Sequence, residues 1–253
     1  MELSENQIKF LERSIQRSFI NWNTPLPHYK VNENGLVDIY GDFDCSRQFL
    51  DPILKDLMGI RFGEVHGHFI CQRHELKSIE GMPRSIGKGR NDLNPCQFII
   101  SGNLIESIEG ILPDQEAPIL YFDCSDNLLT STYGVPDGIK IRYYNFRKNR
   151  LLNLRGLQFD TDCEEVSIHD NSYEGVSDFV LNSIYKVMSE SKCDFLTALT
   201  IRSKSIKYWH PEDWAKMLKD PYIRNWVELT DDLDIDTIKD MSKSSLIVSQ
   251  FEI

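Results

Sequence analysis

His66, His68, Cys71 and His74 fall within nine residues of one another, a density of imidazole and thiol groups that could activate a cysteine nucleophile or hold a soft metal ion. A second group is Ile86-Gly87-Lys88-Gly89-Arg90, where glycines flank a lysine as they do in loops that cradle phosphate. A third is His210, Asp213 and Trp214, with Trp209 and Trp226 nearby as aromatic anchors for a partner. None has the spacing its chemistry normally uses. The six cysteines form no CxxC pair, and the lysine loop lacks the eight-residue phosphate-loop pattern. Whether these groups meet depends on the elements that carry them.

The elements repeat. Phe43, Phe69, Phe98, Phe122, Tyr144 and Val166 form a column that recurs every 22 to 29 residues. Two residues after each stands a second apolar column: Cys45, Cys71, Ile100, Cys124, Phe146 and Ile168. Three further on comes a polar column of Gln48, His74, Asn103, Asn127, Asn149 and Asn171, followed by Leu50, Leu76, Ile105, Leu129, Leu151 and Tyr173. Gly81, Gly110, Gly134 and Gly156 close four units, with Pro83, Pro113 and Pro136 just behind three of them. This is the leucine-rich-repeat pattern LxxLxLxxN/CxL with Phe and Cys in several leucine places. Its alternation predicts one short strand per unit, core on one side and open on the other. The carboxamides of Asn103, Asn127, Asn149 and Asn171 can bond the backbone where the chain leaves each strand, so they are expected to form a structural ladder.

In this register Cys71 is a core anchor, His74 takes an Asn place and His68 faces outward. The three are not expected to converge, and no catalytic residue, metal site or cofactor follows. Cys45, Cys71 and Cys124 read as small buried hydrophobes, and the Gly87 to Arg90 stretch as a flexible insertion between units. The outward positions form a concave strip, on which the partner-binding candidates are Arg47, Arg73, Tyr121, Asp123, Asp126, Arg142, Tyr143, Asn145, Arg147, Lys148, Glu164, His169 and Asp170. Ser46 and Ser125 fall in the same outward set. From Lys140 to Arg155 there are six basic residues and no acidic one, interleaved with Tyr143, Tyr144 and Phe146. Such a strip suits phosphate neutralisation and base stacking, although Tyr144 and Phe146 occupy core positions and leave Tyr143 as the exposed ring.

The units Gly41-Asp-Phe-Asp-Cys-Ser and Phe69-Ile-Cys-Gln-Arg-His-Glu-Leu-Lys-Ser-Ile-Glu-Gly-Met-Pro83 resemble the GxFxCSxNxLxSLEGxP repeats of leucine-rich-repeat proteins encoded by large tailed bacteriophages and some bacteria. The resemblance runs from Val37 to Val176. The second and fourth units fit best; the first has no Glu-Gly, and the fifth and sixth lack the cysteine. It implies a recognition scaffold rather than an enzyme. Its setting implies an accessory protein, in the cytoplasm of an infected bacterial cell, that binds a host protein such as a nuclease, polymerase or defence component.

The flanks read as helical. Leu3, Ile8, Leu11, Ile15 and Phe19 recur at helical spacing, with Ser4 and Gln7 in a capping-box relation, and a helix is expected to end before Asn23. Ser177-Asp178 can open another, with Phe179, Val180, Ile184, Val187 and Met188 on one face. Further elements are expected at 211–218, 234–241 and 246–251, and an acidic run extends from Glu228 to Asp240. The 253 residues carry a net charge of −11, which disfavours an indiscriminate nucleic-acid coater, and no apolar run suits a membrane span. The expected fold class is therefore an α/β repeat. Residues 1–36 form an N-terminal helical cap, 37–176 a leucine-rich-repeat solenoid of about six units, and 177–253 a C-terminal, mainly helical cap or partner-binding region. The expected role is non-catalytic protein recognition. The alternatives are nucleic-acid binding through the basic fifth repeat and a structural place in the virion.

Overall fold

The computed structural model describes residues 2–15, 28–47, 53–152, 157, 163–171, 178–192 and 198. In chain order its elements are α1 (Glu5–Ile15), β1 (Tyr29–Val31), β2 (Val37–Ile39), β3 (Phe43–Asp44), β4 (Phe62–Val65), β5 (Phe69–Ile70) and β6 (Ser85–Ile86). After these come β7 (Cys96–Ile99), β8 (Ile119–Asp123), β9 (Ile141–Asn145), β10 (Glu165–Ser167) and α2 (Asp178–Ser191).

Each repeat returns the chain to the side from which it left, so its strand can only lie parallel to the one before. The result is a six-stranded, all-parallel sheet in the order β10-β9-β8-β7-β5-β3. Phe43 lies opposite Phe69, Phe69 opposite Phe98, Phe98 opposite Phe122, Phe122 opposite Tyr144 and Tyr144 opposite Val166. The sequence columns are thus the register of the sheet. The chain is a repeat solenoid built on parallel strands.

The first column stacks ring on ring along the inside of the sheet. Phe43 and Phe69 have centroids 5.5 Å apart, Phe69 and Phe98 5.7 Å, and Phe98 and Phe122 5.4 Å, with planes within 25° of parallel. Offset stacking of this kind adds to simple burial, and all four rings are wholly buried. Beside them Cys45, Cys71, Ile100, Cys124, Phe146 and Ile168 fill the second column.

A second sheet was not anticipated. It runs β1-β2-β4-β6, with β1 antiparallel to β2 and the other pairs parallel. The first turns therefore carry two strands each, and the rings of Phe43 and Phe62, 4.8 Å apart, join the two sheets. The stretch expected to be only helical thus also holds β1. The Asn32 side chain makes the β1–β2 turn, its Oδ1 accepting from the backbone N–H groups of Asn34 and Leu36, while Gly35 supplies the positive φ of 73°. At the far edge Gln115 stands in for a strand. Its Oε1 accepts from the Ile86 N–H at 2.8 Å, and its Nε2 donates to the Ile86 carbonyl at 3.0 Å.

Helices lie at both ends of the six-stranded sheet. Ser4 and Gln7 form the expected capping box at the start of α1, with the Ser4 N–H donating to Gln7 Oε1 at 2.8 Å and the Gln7 N–H to Ser4 Oγ at 3.3 Å. The buried face of α1 presents Phe10, Leu11 and Ile15, and Phe10 meets the Phe43 ring edge-on at 5.8 Å. At the other end α2 packs on β10, where the Val166 N–H donates to Asn182 Oδ1 at 2.7 Å. Tyr185 and Met188 of α2 are buried. The expected elements beyond residue 200, and the expected extension of the first helix toward Asn23, lie outside the described residues. No described helix is long and apolar enough to cross a membrane.

The ring column makes Phe98 the central support of the sheet. Phe98→Ala is expected to cost about 3–5 kcal/mol, read as a lower urea midpoint without loss of cooperativity; a change below about 1 kcal/mol would show that the stack is not a major source of stability.

Candidate functional site

The polar column does what the sequence pattern requires of it. Asn127 donates through Nδ2 to the carbonyls of Ile100 (3.0 Å) and Cys124 (3.2 Å), and its Oδ1 accepts from the Ile105 N–H at 3.0 Å. Asn149 repeats this one turn on, donating to Cys124 (3.0 Å) and Phe146 (2.9 Å) and accepting from Leu129 N–H at 3.0 Å. Asn103 bonds Cys71, Ile100 and Leu76, and Asn171 bonds Phe146, Ile168 and Leu151, in the same way. Each carboxamide ties its own turn to the previous one. The residue just before each ladder position is left-handed: Arg73 (φ 60°), Gly102 (70°), Asp126 (54°), Lys148 (54°) and Asp170 (59°). Four of the partner-binding candidates are therefore also strained backbone positions.

Other candidates shape the strand exits. Asp44 Oδ1 accepts from the N–H and hydroxyl of Ser46, Asp123 Oδ1 accepts from the Ser125 N–H at 2.9 Å, and Asn145 Oδ1 accepts from the Arg147 N–H at 3.3 Å. These bonds draw Ser46 and Ser125 inward. Both serines are buried, a correction to their outward assignment.

The candidates that gather on the open face are Tyr121, Arg142, Tyr143 and Glu164. The Tyr121 and Tyr143 rings stack with centroids 4.7 Å apart and planes 19° from parallel, and Tyr121 is 41% exposed. The Tyr143 hydroxyl donates to Glu164 Oε2 at 2.5 Å, and Arg142 Nη1 lies 3.8 Å from Glu164 Oε1. The hydrogen bond to this carboxylate pushes the Tyr143 phenol up to about 12, so it stays protonated at neutral pH. Arg142 also donates to the Asp92 carbonyl at 2.8 Å, and Lys140 Nζ pairs with Asp92 Oδ2 at 3.0 Å. The first part of the basic strip is thus neutralised by neighbouring turns. Arg47, Arg73, Arg147, Lys148 and Arg150 are exposed at the strand exits, and no described carboxylate forms an ion pair with them. His169 lies on the same rim, with Nδ1 3.3 Å from Ser167 Oγ and Nε2 3.9 Å from Asp170.

The histidine cluster divides. His66 sits on the four-stranded sheet, edge-on to Tyr40 at 4.9 Å and 3.8 Å from Glu64. His68 uses its Nδ1 to accept from the Gln97 N–H at 2.9 Å, while its own N–H donates to Asp42. His74 substitutes for a ladder Asn: Nδ1 accepts from the Leu54 N–H at 3.2 Å, and Nε2 donates to the Cys45 carbonyl at 2.6 Å. The expectation that Cys71 and His74 stay apart is corrected. Cys45, Cys71 and His74 are all buried with their potential ligand atoms within 4.8 Å of one another, because the register brings Cys45 beside Cys71 and the ladder folds His74 back toward them. His68 is not in that group. Burial pushes Cys96 up to about 11 and Cys45 and Cys124 well above the usual thiol range, which keeps these thiols protonated and poorly nucleophilic.

The lysine loop is no phosphate cradle. Lys88 Nζ bonds Glu64, and Gly87 is packed so closely that a Cβ there would meet Cys96 Sγ at 2.1 Å. The stretch forms a turn after β6, with the Arg90 N–H donating to the Gly87 carbonyl at 2.9 Å, and walls a polar cleft of about 700 Å³ with Asn32, Asp38, Glu64, Arg84 and Asp114. Arg84 pairs with Asp114 there, so opposite charges offset one another within the cleft. His210, Asp213, the three tryptophans Trp209, Trp214 and Trp226, and the acidic run from Glu228 to Asp240 lie outside the described residues.

Fold and face together define a parallel-strand solenoid with an open, chemically mixed sheet face. Comparison with known proteins found no matching family model, no significantly similar curated protein and no significantly similar solved structure.

Two predictions follow from the ladder. Gly102→Ala is expected to cost about 1–2 kcal/mol for an alanine in left-handed conformation; its Cβ also meets Arg73 Cγ at 3.2 Å. Lys148→Gly, which removes a side chain from the same conformation, is expected to leave the urea midpoint unchanged or raise it. Equal losses for both would rule out left-handed strain as the cause. Burial lowers the pKa of His66, His68 and His74 from the ordinary 6.5. The unfolded chain then takes up protons below about pH 6.5 that the folded chain refuses, so stability is complete above that pH and falls as pH drops toward the folded values. Urea midpoints at pH 7.5 and 5.5 should decline in that order, and a flat or rising profile would contradict the assignment.

Proposed function

We propose that this chain is a leucine-rich-repeat-type recognition scaffold, non-catalytic, with α1 as its N-terminal cap. In keeping with its resemblance to phage-encoded repeats, the partner is a bacterial host protein whose activity it modulates. The observation that carries this reading is the stacked Tyr121–Tyr143 pair on the open sheet, oriented by Glu164 and flanked by Arg142. Exposed aromatic rings held by neighbouring strands are low-entropy anchors, and tyrosine and arginine are the residues that most often dominate protein interfaces.

The nucleic-acid alternative rests on Arg147, Lys148 and Arg150, since Lys140 and Arg142 are already paired with carboxylates or a carbonyl of neighbouring turns. Three exposed cations on a chain of net charge −11 make a small electrostatic footprint. A virion role would place the protein in purified particles.

Affinity purification of the tagged full chain from bacterial lysate tests the proposal. One stoichiometric protein partner is expected, and Tyr121→Ala/Tyr143→Ala should weaken its binding at least about tenfold with the fold intact. Recovery of nucleic acid alone, with binding lost on charge reversal of Arg147 and Lys148, would replace this reading with the alternative. Recovery of no partner would sink it.

A further inference from the structure

The Cys45, Cys71 and His74 cluster plays no part in the recognition surface, and two independent features of the repeat meet in it. Among the described ladder positions, His74 is the one that is not asparagine; Asn103, Asn127, Asn149 and Asn171 fill the rest. In the second core column, Cys45 and Cys71 are neighbours in successive turns, whereas Ile100 and Phe146 stand on either side of Cys124. The ladder therefore changes from carboxamide to imidazole where two thiols adjoin. An asparagine would supply the bond to the preceding turn that Asn103 makes to Cys71, whereas the Leu54 N–H that His74 accepts lies four residues beyond the position equivalent to Leu76, Ile105, Leu129 and Leu151. What imidazole adds is a nitrogen lone pair for a soft cation.

We infer that Cys45, Cys71 and His74 form a buried site for a thiophilic d10 cation, Zn(II) or Cu(I). Two thiolates and one imidazole are a donor set that such ions prefer over hard oxygen-seeking cations. Metal–sulfur bonds of about 2.3 Å and metal–nitrogen bonds of about 2.0–2.1 Å hold ligand atoms roughly 3.5–4 Å apart. One ring nitrogen of His74 and the two sulfurs already lie within 4.8 Å of one another, so closing on an ion requires movements and ring rotation on the order of an ångström. His74 carries the orienting contact that ligating histidines usually make, its Nε2–H donating to a backbone carbonyl, that of Cys45, at 2.6 Å. This tautomer leaves the lone pair on Nδ1, which now accepts from the Leu54 N–H at 3.2 Å. Ligation exchanges that contact for a metal bond. Both thiols must lose a proton to bind, so loading releases protons and strengthens as pH rises.

The test uses the reduced full chain. Co(II) titration should give a thiolate-to-cobalt charge-transfer band in the near ultraviolet that saturates at one equivalent and is bleached by Zn(II). Cu(I), supplied in competition with a chromophoric chelator, provides the second arm; binding of Cu(I) with no Co(II) or Zn(II) response would assign the site to the monovalent ion. The bound metal should raise the thermal midpoint. Cys71→Ser should abolish the band. His74→Asn is the decisive variant, because it places the ladder residue of the other turns at this position: it should bind metal at least about tenfold more weakly while its circular dichroism spectrum and cooperative unfolding are retained. No stoichiometric binding of any of these ions, or undiminished binding by His74→Asn, would overturn the proposal.

Discussion

Where the chain leaves β5, β7, β8, β9 and β10 it passes against the previous turn, and backbone carbonyls facing the ladder are then cut off from water. Unpaired, such groups would cost on the order of 1–3 kcal/mol each. One side chain answers for two turns at once: Asn149 donates to Phe146 in its own turn and to Cys124 in the turn before, while accepting a backbone N–H from Leu129. Strand spacing, ring stacking and the left-handed residue before each ladder position follow from keeping this bond pattern intact. A turn that shifted by one residue would break it on both sides, so the register is held by hydrogen bonding as well as by the alternation of apolar side chains.

That constraint also decides which surface residues are available for contact. Asp44, Asp123 and Asn145 face the open side, yet each uses a side-chain oxygen to turn its own strand exit. Asp42 and His68 likewise accept backbone N–H groups from the next turn. Arg142 and Lys140 are drawn onto Asp92 and Glu164. Tyr121 and the exit-rim cations Arg47, Arg73, Arg147, Lys148 and Arg150 remain exposed. A residue can thus occupy an outward column and still belong to the scaffold.

The six-stranded sheet was legible in the sequence because its signals coincide: aromatic anchor, second apolar residue and carboxamide recur at fixed separations within units of varying length. The four-stranded sheet was missed for a physical reason. Its strands are two to four residues long, and Gly63 interrupts the alternation of β4 because the Asp38 carboxylate fills the place of a Cβ there, 2.1 Å away. The Asn32-Glu33-Asn34-Gly35 turn between Tyr29-Lys30-Val31 and Val37-Asp38-Ile39 was the available hairpin signal. The edge closure by Gln115 left no periodic trace, since a single side chain does the work of a strand. The meeting of Cys45, Cys71 and His74 is hidden for a different reason: the repeat register assigns the cysteines to a core column and His74 to the ladder, and the alternation carries no sign that the ladder side chain folds back toward the sulfurs of two turns.

The same geometry changes the meaning of the net charge. Around the exit rim one position per turn reads Arg47, Arg73, Gly102, Asp126, Lys148 and Asp170, at steps set by the strand spacing of about 4.7–4.9 Å. Within a Debye length of roughly 8 Å at physiological ionic strength, a docked partner senses one or two of these positions rather than the −11 of the whole chain. A uniform polyanion such as a nucleic-acid backbone meets attraction at Arg47, Arg73 and Lys148 and repulsion at Asp126 and Asp170. A protein surface whose charges complement this order at matching intervals meets attraction throughout. Strand pairing and the left-handed backbone fix where these side chains leave the surface, so in the proposed recognition role selectivity would come from the pattern rather than from the amount of charge.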